Sequence, residues 1–159
     1  MLKHVWIRTD YTPLARHLTH KLKFERTVAA AEVISGLMIE ALPYISKDVL
    51  VTHVPTATSR RRQRGYDQAE LLARSLANSC GLRHKTLLAR KGHSRQVGSD
   101  KTTRVEQLQG AFRPVSVIKS PVLLVDDITT TGATLEAAAR ELKQAGTKKV
   151  YATAFAQKQ

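Results

Sequence analysis

Two adjacent carboxylates, Asp126 and Asp127, stand directly behind the apolar run Val122-Leu123-Leu124-Val125 and ahead of Ile128-Thr129-Thr130-Thr131-Gly132-Ala133-Thr134. Neighbouring carboxylates repel each other unless something binds them. As a pair they suit sugar hydroxyls or a hydrated metal ion. Thr129, Thr130, Thr131, Gly132, Ala133 and Thr134 offer hydroxyl donors, a small-residue turn and the start of a helix, the parts of a phosphate nest. Acids for hydroxyls beside a nest for a monophosphate describe a site for a ribose 5-phosphate. A Thr-capped acidic loop with no ligand is the alternative, and the repulsion of the two acids counts against it.

A second group of chemical residues follows another apolar run. Pro55-Thr56-Ala57-Thr58 leads into Arg60-Arg61-Arg62-Gln63-Arg64. A turn at a strand end presents backbone N–H groups, and guanidiniums supply forked donors that match diphosphate oxygens. Alone, this would be a solvated basic turn. Beside a ribose-phosphate segment at the same end of a sheet, Pro55, Thr56, Ala57, Thr58, Arg60 and Arg64 become a diphosphate anchor. Residues 91–103 show neither apolar periodicity nor helix caps and read as a long loop. With Arg90, Lys91, Arg95, Lys101 and Arg104 in or beside it, the loop could close over a diphosphate; an ordinary surface loop reads equally well.

The elements that must position these groups follow from apolar spacing. Val122–Asp127 is short, β-branched and unalternating, as a buried parallel strand is, and its carboxyl end is where open α/β sheets place ligands. Further strands are expected at 3–8, 49–54, 84–90 and 150–156. Helices are expected from Thr12 and Pro13, an N-cap and first-turn pair, to Phe24, and from Thr27 to Leu42. Another is expected from Asp67, with Glu70 completing a capping box, to Gly81. The last runs over 133–145, with Glu136 paired to Arg140, and helical character also marks Thr102 to Leu108. Strand, helix, strand, loop, strand, helix, strand is the order of an α/β fold with a mostly parallel sheet. Cys80 falls on the buried face of its helix. His17 and His20 lie one helical turn apart without an evident third metal ligand.

The bulk numbers bound the rest. The chain has 159 residues, 42% hydrophobic and 25% charged, which is globular composition for one domain. A single cysteine leaves no intramolecular disulfide and no cysteine-cluster zinc site, and it fits a reducing, cytoplasmic setting. No signal peptide or membrane span is expected, since Glu32 and Glu40 interrupt the most apolar stretch. A net charge of +13 attracts polyanions, while 5% aromatic residues offer little for stacking single-stranded bases.

Taken whole, the segment 122–134 resembles the phosphoribosyl-pyrophosphate (PRPP) signature of type I phosphoribosyltransferases. Arg64-Gly65-Tyr66-Asp67-Gln68-Ala69 with Leu72-Ala73 is similar to the competence protein F (ComF) branch, a group linked to DNA uptake. Tyr11, Pro13-Leu14, Lys21-Leu22-Lys23-Phe24, Gln96, Arg104 and Gly110-Ala111-Phe112 agree with it. The resemblance implies one phosphoribosyltransferase domain over 1–159: a helical hood at 1–45 and a core at 46–159 with a flexible loop at 91–103. It implies that Asp126 and Asp127 hold the ribose 2- and 3-hydroxyls and that Thr129 to Thr134 cradle the 5-phosphate. Arg95 and Arg104 join the two acids as catalytic candidates. Mg²⁺ would enter with PRPP, touching the protein at most through Asp126 and Asp127. Transfer of 5-phosphoribose with pyrophosphate release is the implied reaction, and its acceptor is not legible. Two other readings stand beside it: an accessory factor for DNA uptake that binds single-stranded DNA, and a PRPP-sensing regulator. Many ComF members carry a four-cysteine zinc element upstream of Tyr11, which this chain does not show. Asp67 stands where Asn is commoner, and Thr130 occupies the position of an acid used by purine-salvage relatives, so purine salvage is not expected.

Overall fold

The computed structural model describes residues 2–25, 28–91 and 110–158. Five parallel strands form the central sheet in the order β1-β7-β6-β2-β3. They are β1 (Val5–Asp10), β2 (Leu50–His53), β3 (Arg83–His84), β6 (Val122–Thr129) and β7 (Val150–Gln157). The strand carrying the acid pair is central, and its first four residues are fully buried. Alternate side chains of β6 serve opposite layers, as the two-residue period of a strand requires. Leu123 and Val125 join the cluster built from α1 (Pro13–Phe24), α2 (Val28–Glu40) and α4 (Gln68–Cys80). Val122 and Leu124 pack instead against α5 (Ala133–Gln144) and the small antiparallel pair β4 (Leu88–Arg90) and β5 (Phe112–Pro114). Sequential parallel strands joined through covering helices account for the unbroken apolar runs of β2 and β6.

Helix α1 starts as its sequence dictates. The Thr12 hydroxyl accepts from the Ala15 amide at 3.2 Å, and Pro13 takes the first turn, where its missing N–H costs nothing. Three local expectations need correction. The basic run 60–64 is not a turn but helix α3 (Thr58–Arg64), closed by Gly65 at φ 76°. Arginine is a good helix former, and only glycine enters that left-handed cap without strain. The expected strand at 84–90 is two strands in two sheets: Leu87 and Leu88 are both buried, which successive residues of one flat strand with a single covered face cannot be. The expected Glu136–Arg140 pair is absent from the ion pairs of the described residues. The helical character expected at Thr102 to Leu108 lies outside the described residues.

Candidate functional site

Strand register brings the two chemical segments together. His53 of β2 lies level with Val125 of β6, and the Val54 amide donates to the Val125 carbonyl at 2.9 Å. The chain therefore leaves β2 at Val54-Pro55 beside Asp126 and Asp127, which stand in the second half of β6. A cleft of about 370 Å³ opens there. Pro55, Thr56, Ala57, Arg60, Arg64, Arg90, Asp126, Asp127 and Thr134 line it, with Lys23 and Gln68. Larger grooves exist elsewhere, one of about 510 Å³ at the opposite end of the sheet beside Trp6 and Tyr151. That groove has no acid pair and no arginine in its lining.

The acids differ in their surroundings. Asp126 folds back on the chain, its Oδ1 accepting from the Asp127 amide at 2.8 Å. Burial of its carboxyl, reinforced by the adjacent Asp127 charge, pushes its pKa well above the usual carboxylate range. The Asp127 side chain is 7% exposed, and its Oδ2 has no hydrogen bond but lies 2.9 Å from the Lys23 ammonium. Thus the contact is an ion pair with poor hydrogen-bond geometry. The repulsion expected of two neighbouring acids is relieved by a cation from α1, some hundred residues away in the chain.

The arginine side is held by a buried acid. Asp67, 4% exposed, caps α4 by accepting from the Ala69 and Glu70 amides at 3.0 and 3.4 Å. The same carboxylate accepts from the Thr56 amide at 2.8 Å and the Thr56 hydroxyl at 2.9 Å. It therefore fixes the turn at 55–57 as well as the helix start. Glu70 does not complete a capping box; it turns outward to Arg74 at 2.8 Å. Winding 58–64 as a helix puts Arg60 and Arg64 one turn apart on the cleft side and leaves Arg61 and Arg62 exposed. Arg64 also donates to the Gln68 side chain at 2.9 Å and stacks over Phe24 at 5.2 Å.

Arg90 enters from β4, donates to the Pro55 carbonyl at 3.3 Å and lies 5.2 Å over the Phe112 ring. Burial, and then the neighbouring Arg60 charge, lower its pKa.

Of the sequence-expected phosphate loop, Thr134 reaches the cleft and Thr129 to Ala133 run along its edge outside the lining. Lys158 and Gln157 at the end of β7 pin this loop, donating to the Thr129 and Thr130 carbonyls at 2.9 and 3.4 Å. Gly132 at φ 78° opens α5 with no side-chain cap, and a Cβ there would meet nothing within 4 Å. The Ala133 amide of that first turn donates to the Thr131 hydroxyl at 3.4 Å. Thr58 begins α3 outside the lining, while Arg95 and Arg104 lie outside the described residues.

Sequence reasoning missed Lys23 and Gln68 as cleft residues, and it placed Arg90 only beside the loop at 91–103 as a cation for the diphosphate. Only Arg90 carried a signal, a cation closing the apolar run Leu87-Leu88-Ala89. Below the cleft, His53 Nδ1 lies 3.4 Å from His84 Nε2, with the rings stacked 5.6 Å apart. Burial lowers the pKa of both, that of His84 to about 4. Among the described residues no group of three or more His, Cys, Asp and Glu is placed to hold a metal ion. No helix among them is long and apolar enough to cross a membrane.

Residues 63–159 match the phosphoribosyl transferase domain. Over 149 residues the chain is 28% identical to the DNA utilization protein YhgH of Salmonella typhi, covering 87% of this chain and 65% of that one. Over 141 residues it is 25% identical to the competence protein ComFC of Streptococcus pneumoniae, covering 88% and 62%. The chain thus spans a little under two thirds of the length of these relatives. In fold it is similar to a solved structure described as the allosteric regulatory enzyme of purine biosynthesis. The TM-score is 0.57 at 18% identity, over 80% of this chain and 25% of that one.

Proposed function

Since the chain belongs to the phosphoribosyl transferase family, as a ComF-like member of the type I superfamily, we propose that it binds PRPP in the cleft between the ends of β2 and β6. We propose further that it transfers 5-phosphoribose to an acceptor, releasing pyrophosphate. The observation that carries this reading is the convergence in one cleft of an acid pair, the 55–57 turn and three arginines. Asp126 and Asp127 fix the ribose hydroxyls, and the uncapped start of α5 with Thr134 receives the 5-phosphate. The 55–57 turn with Arg60, Arg64 and Arg90 takes the diphosphate. As the bond from ribose C1 to the diphosphate oxygen loosens, charge accumulates on the leaving group, and the guanidiniums stabilise it. The acceptor nucleophile forms the new bond to C1 from the opposite face. Arg95 and Arg104, which lie outside the described residues, are proposed to add to that guanidinium charge.

Two adjacent carboxylates in the second half of β6, one with a buried oxygen that no hydrogen bond satisfies, are hard oxygen donors of the kind Mg²⁺ takes. When bound, Mg²⁺ would neutralise part of the diphosphate charge. Calorimetry with PRPP and Mg²⁺ tests the reading. Binding is expected for the native chain and lost in the Asp126→Asn/Asp127→Asn double variant. No binding at all, or binding that the double variant leaves unchanged, overturns it.

A second reading has its own observation. The net charge is +13, and Arg61 and Arg62 point away from the cleft. These favour a cytoplasmic accessory factor that binds single-stranded DNA and has lost turnover. Salt-dependent DNA binding that ignores PRPP would support it. PRPP binding without pyrophosphate release in an acceptor screen would point to a sensor.

A further inference from the structure

The ammonium of Lys23 is the one cation that touches the acid pair among the described residues, and it comes from the last turn of α1. Its side chain is 22% exposed, whereas Lys21, on the same turn, pairs with Glu25 at 40% and 49% exposure. Lys23 is therefore drawn into the cleft rather than left at the surface. Its neighbours are anchored: the Leu22 carbonyl accepts from the Tyr66 hydroxyl at 2.8 Å, and Phe24 lies beneath Arg64 at 5.2 Å. The backbone of that turn is tied to the diphosphate side of the cleft while the ammonium reaches across to the ribose side. Asp127 Oδ2 has no hydrogen bond, so little besides this charge contact holds the ammonium there. Lysine's four-carbon stem lets a point charge leave without moving the helix.

We propose that Lys23 is a resident counter-ion of the Asp126–Asp127 pair, which a divalent cation arriving with a diphosphate-bearing ligand must displace. The inference rests on the ligand class proposed above and extends it to how the empty site is kept. In the unliganded protein Lys23 occupies the electrostatic place of the cation, so stray divalent ions bind poorly. When the ligand brings its own cation, the ammonium is released into a cleft already lined by Arg60, Arg64 and Arg90 and adds to the charge facing the phosphates. Cation and ligand therefore enter together more readily than the cation alone.

The test uses Mn²⁺ as the probe, titrated into the whole chain without PRPP and followed by the electron paramagnetic resonance of free Mn²⁺. Lys23→Met should bind Mn²⁺ roughly five- to tenfold more tightly than the native chain, the return from removing one competing ion pair. Lys23→Arg and Lys21→Met should match the native chain. Unchanged or weaker Mn²⁺ binding by a Lys23→Met protein with native circular dichroism would overturn the proposal. If that variant does not fold, Lys23→Gln takes its place, and failure of both to fold would make the contact purely structural and overturn it too. Because PRPP is absent, the result is independent of the functional reading. A native chain that never binds PRPP sinks that reading and leaves the displacement intact; PRPP binding with Mn²⁺ affinity unmoved by Lys23→Met does the reverse.

Discussion

The ends of β2 and β6 face each other across one cleft and are built on inverse plans. At the end of β6 two acids form the working surface, and a cation from another element holds them. At the end of β2 arginines and the 55–57 turn form the working surface, and a buried acid at the start of α4 holds the turn through Thr56. In each case the supporting charge comes from a different helix, Lys23 from α1 and Asp67 from the start of α4. A site for a ligand with both hydroxyls and phosphates needs both surfaces, and neither can be held in place by its own sequence alone.

The comparison breaks most readily at Asp67. Asp67→Ala removes an N-cap and leaves the Thr56 donors unpaired, so unfolding free energy should fall by about 2–4 kcal/mol, summing a lost cap and a lost charged acceptor. Thermal unfolding measures it. Asp67→Asn, with one acceptor oxygen in place of two, should fall between. A loss of less than about 0.5 kcal/mol for the alanine variant would mean that the turn holds itself.

Next in size is Arg90. Arg90→Met keeps an unbranched apolar side chain beside Phe112 but removes the guanidinium and its ring contact, so pyrophosphate affinity by calorimetry should drop about tenfold, one charge-assisted contact. Unchanged affinity would exclude Arg90 from the diphosphate side.

A smaller effect concerns the imidazoles beneath the 55–57 turn. His84 titrates at about 4 in the folded chain against an ordinary 6.5, and burial also lowers His53. Asp67, Glu70, Arg61 and Arg74 surround them electrostatically. Protons therefore bind the unfolded chain better. The stability from the neutral rings is complete above pH 6.5 and is lost as pH falls toward 4. For half-exposed His84 screening reduces the loss to roughly 1 kcal/mol. Denaturant midpoints at pH 7 and 4.5 should separate for the native chain and separate less in His84→Gln, where His53 remains; equal separation would remove His84 as the cause.

Smallest is Tyr66→Phe, which deletes the hydroxyl's bond to the Leu22 carbonyl. About 1 kcal/mol of stability should go, with Mn²⁺ binding unmoved unless α1 shifts.

What sequence reading could recover follows the same division. The parallel sheet, the start of α1, the strand behind the acids and the start of α5 were legible, because each depends on contiguous residues: an apolar run, a Thr-Pro cap, a glycine. The turn at 55–57 was legible as a diphosphate candidate for the same reason. The supports were not. Lys23 reads as one more exposed cation in a chain with 26 Lys and Arg, and only the path of α1 across the sheet brings it to Asp127. Asp67 reads as a helix cap, and its second duty to Thr56, eleven positions upstream, depends on how α3 folds back. That helix was itself missed, because a run of arginines says more about charge than about winding. Leu87 and Leu88 misled in the opposite direction, since two neighbouring apolar residues look like one strand until both prove buried.

The edge strand β1 has a consequence for synthesis. Among the described residues its one neighbour in the sheet is β7, with Val5 beside Ala152 and Asp10 beside Gln157. During translation the first strand made therefore waits for the last of these five to emerge before it has anywhere to pair. Until then its backbone amides and carbonyls stay open to other chains. A nascent chain stalled short of β7 would expose an unpaired edge on both β1 and β6, and ribosome-bound intermediates of that length are where chaperone capture should be greatest.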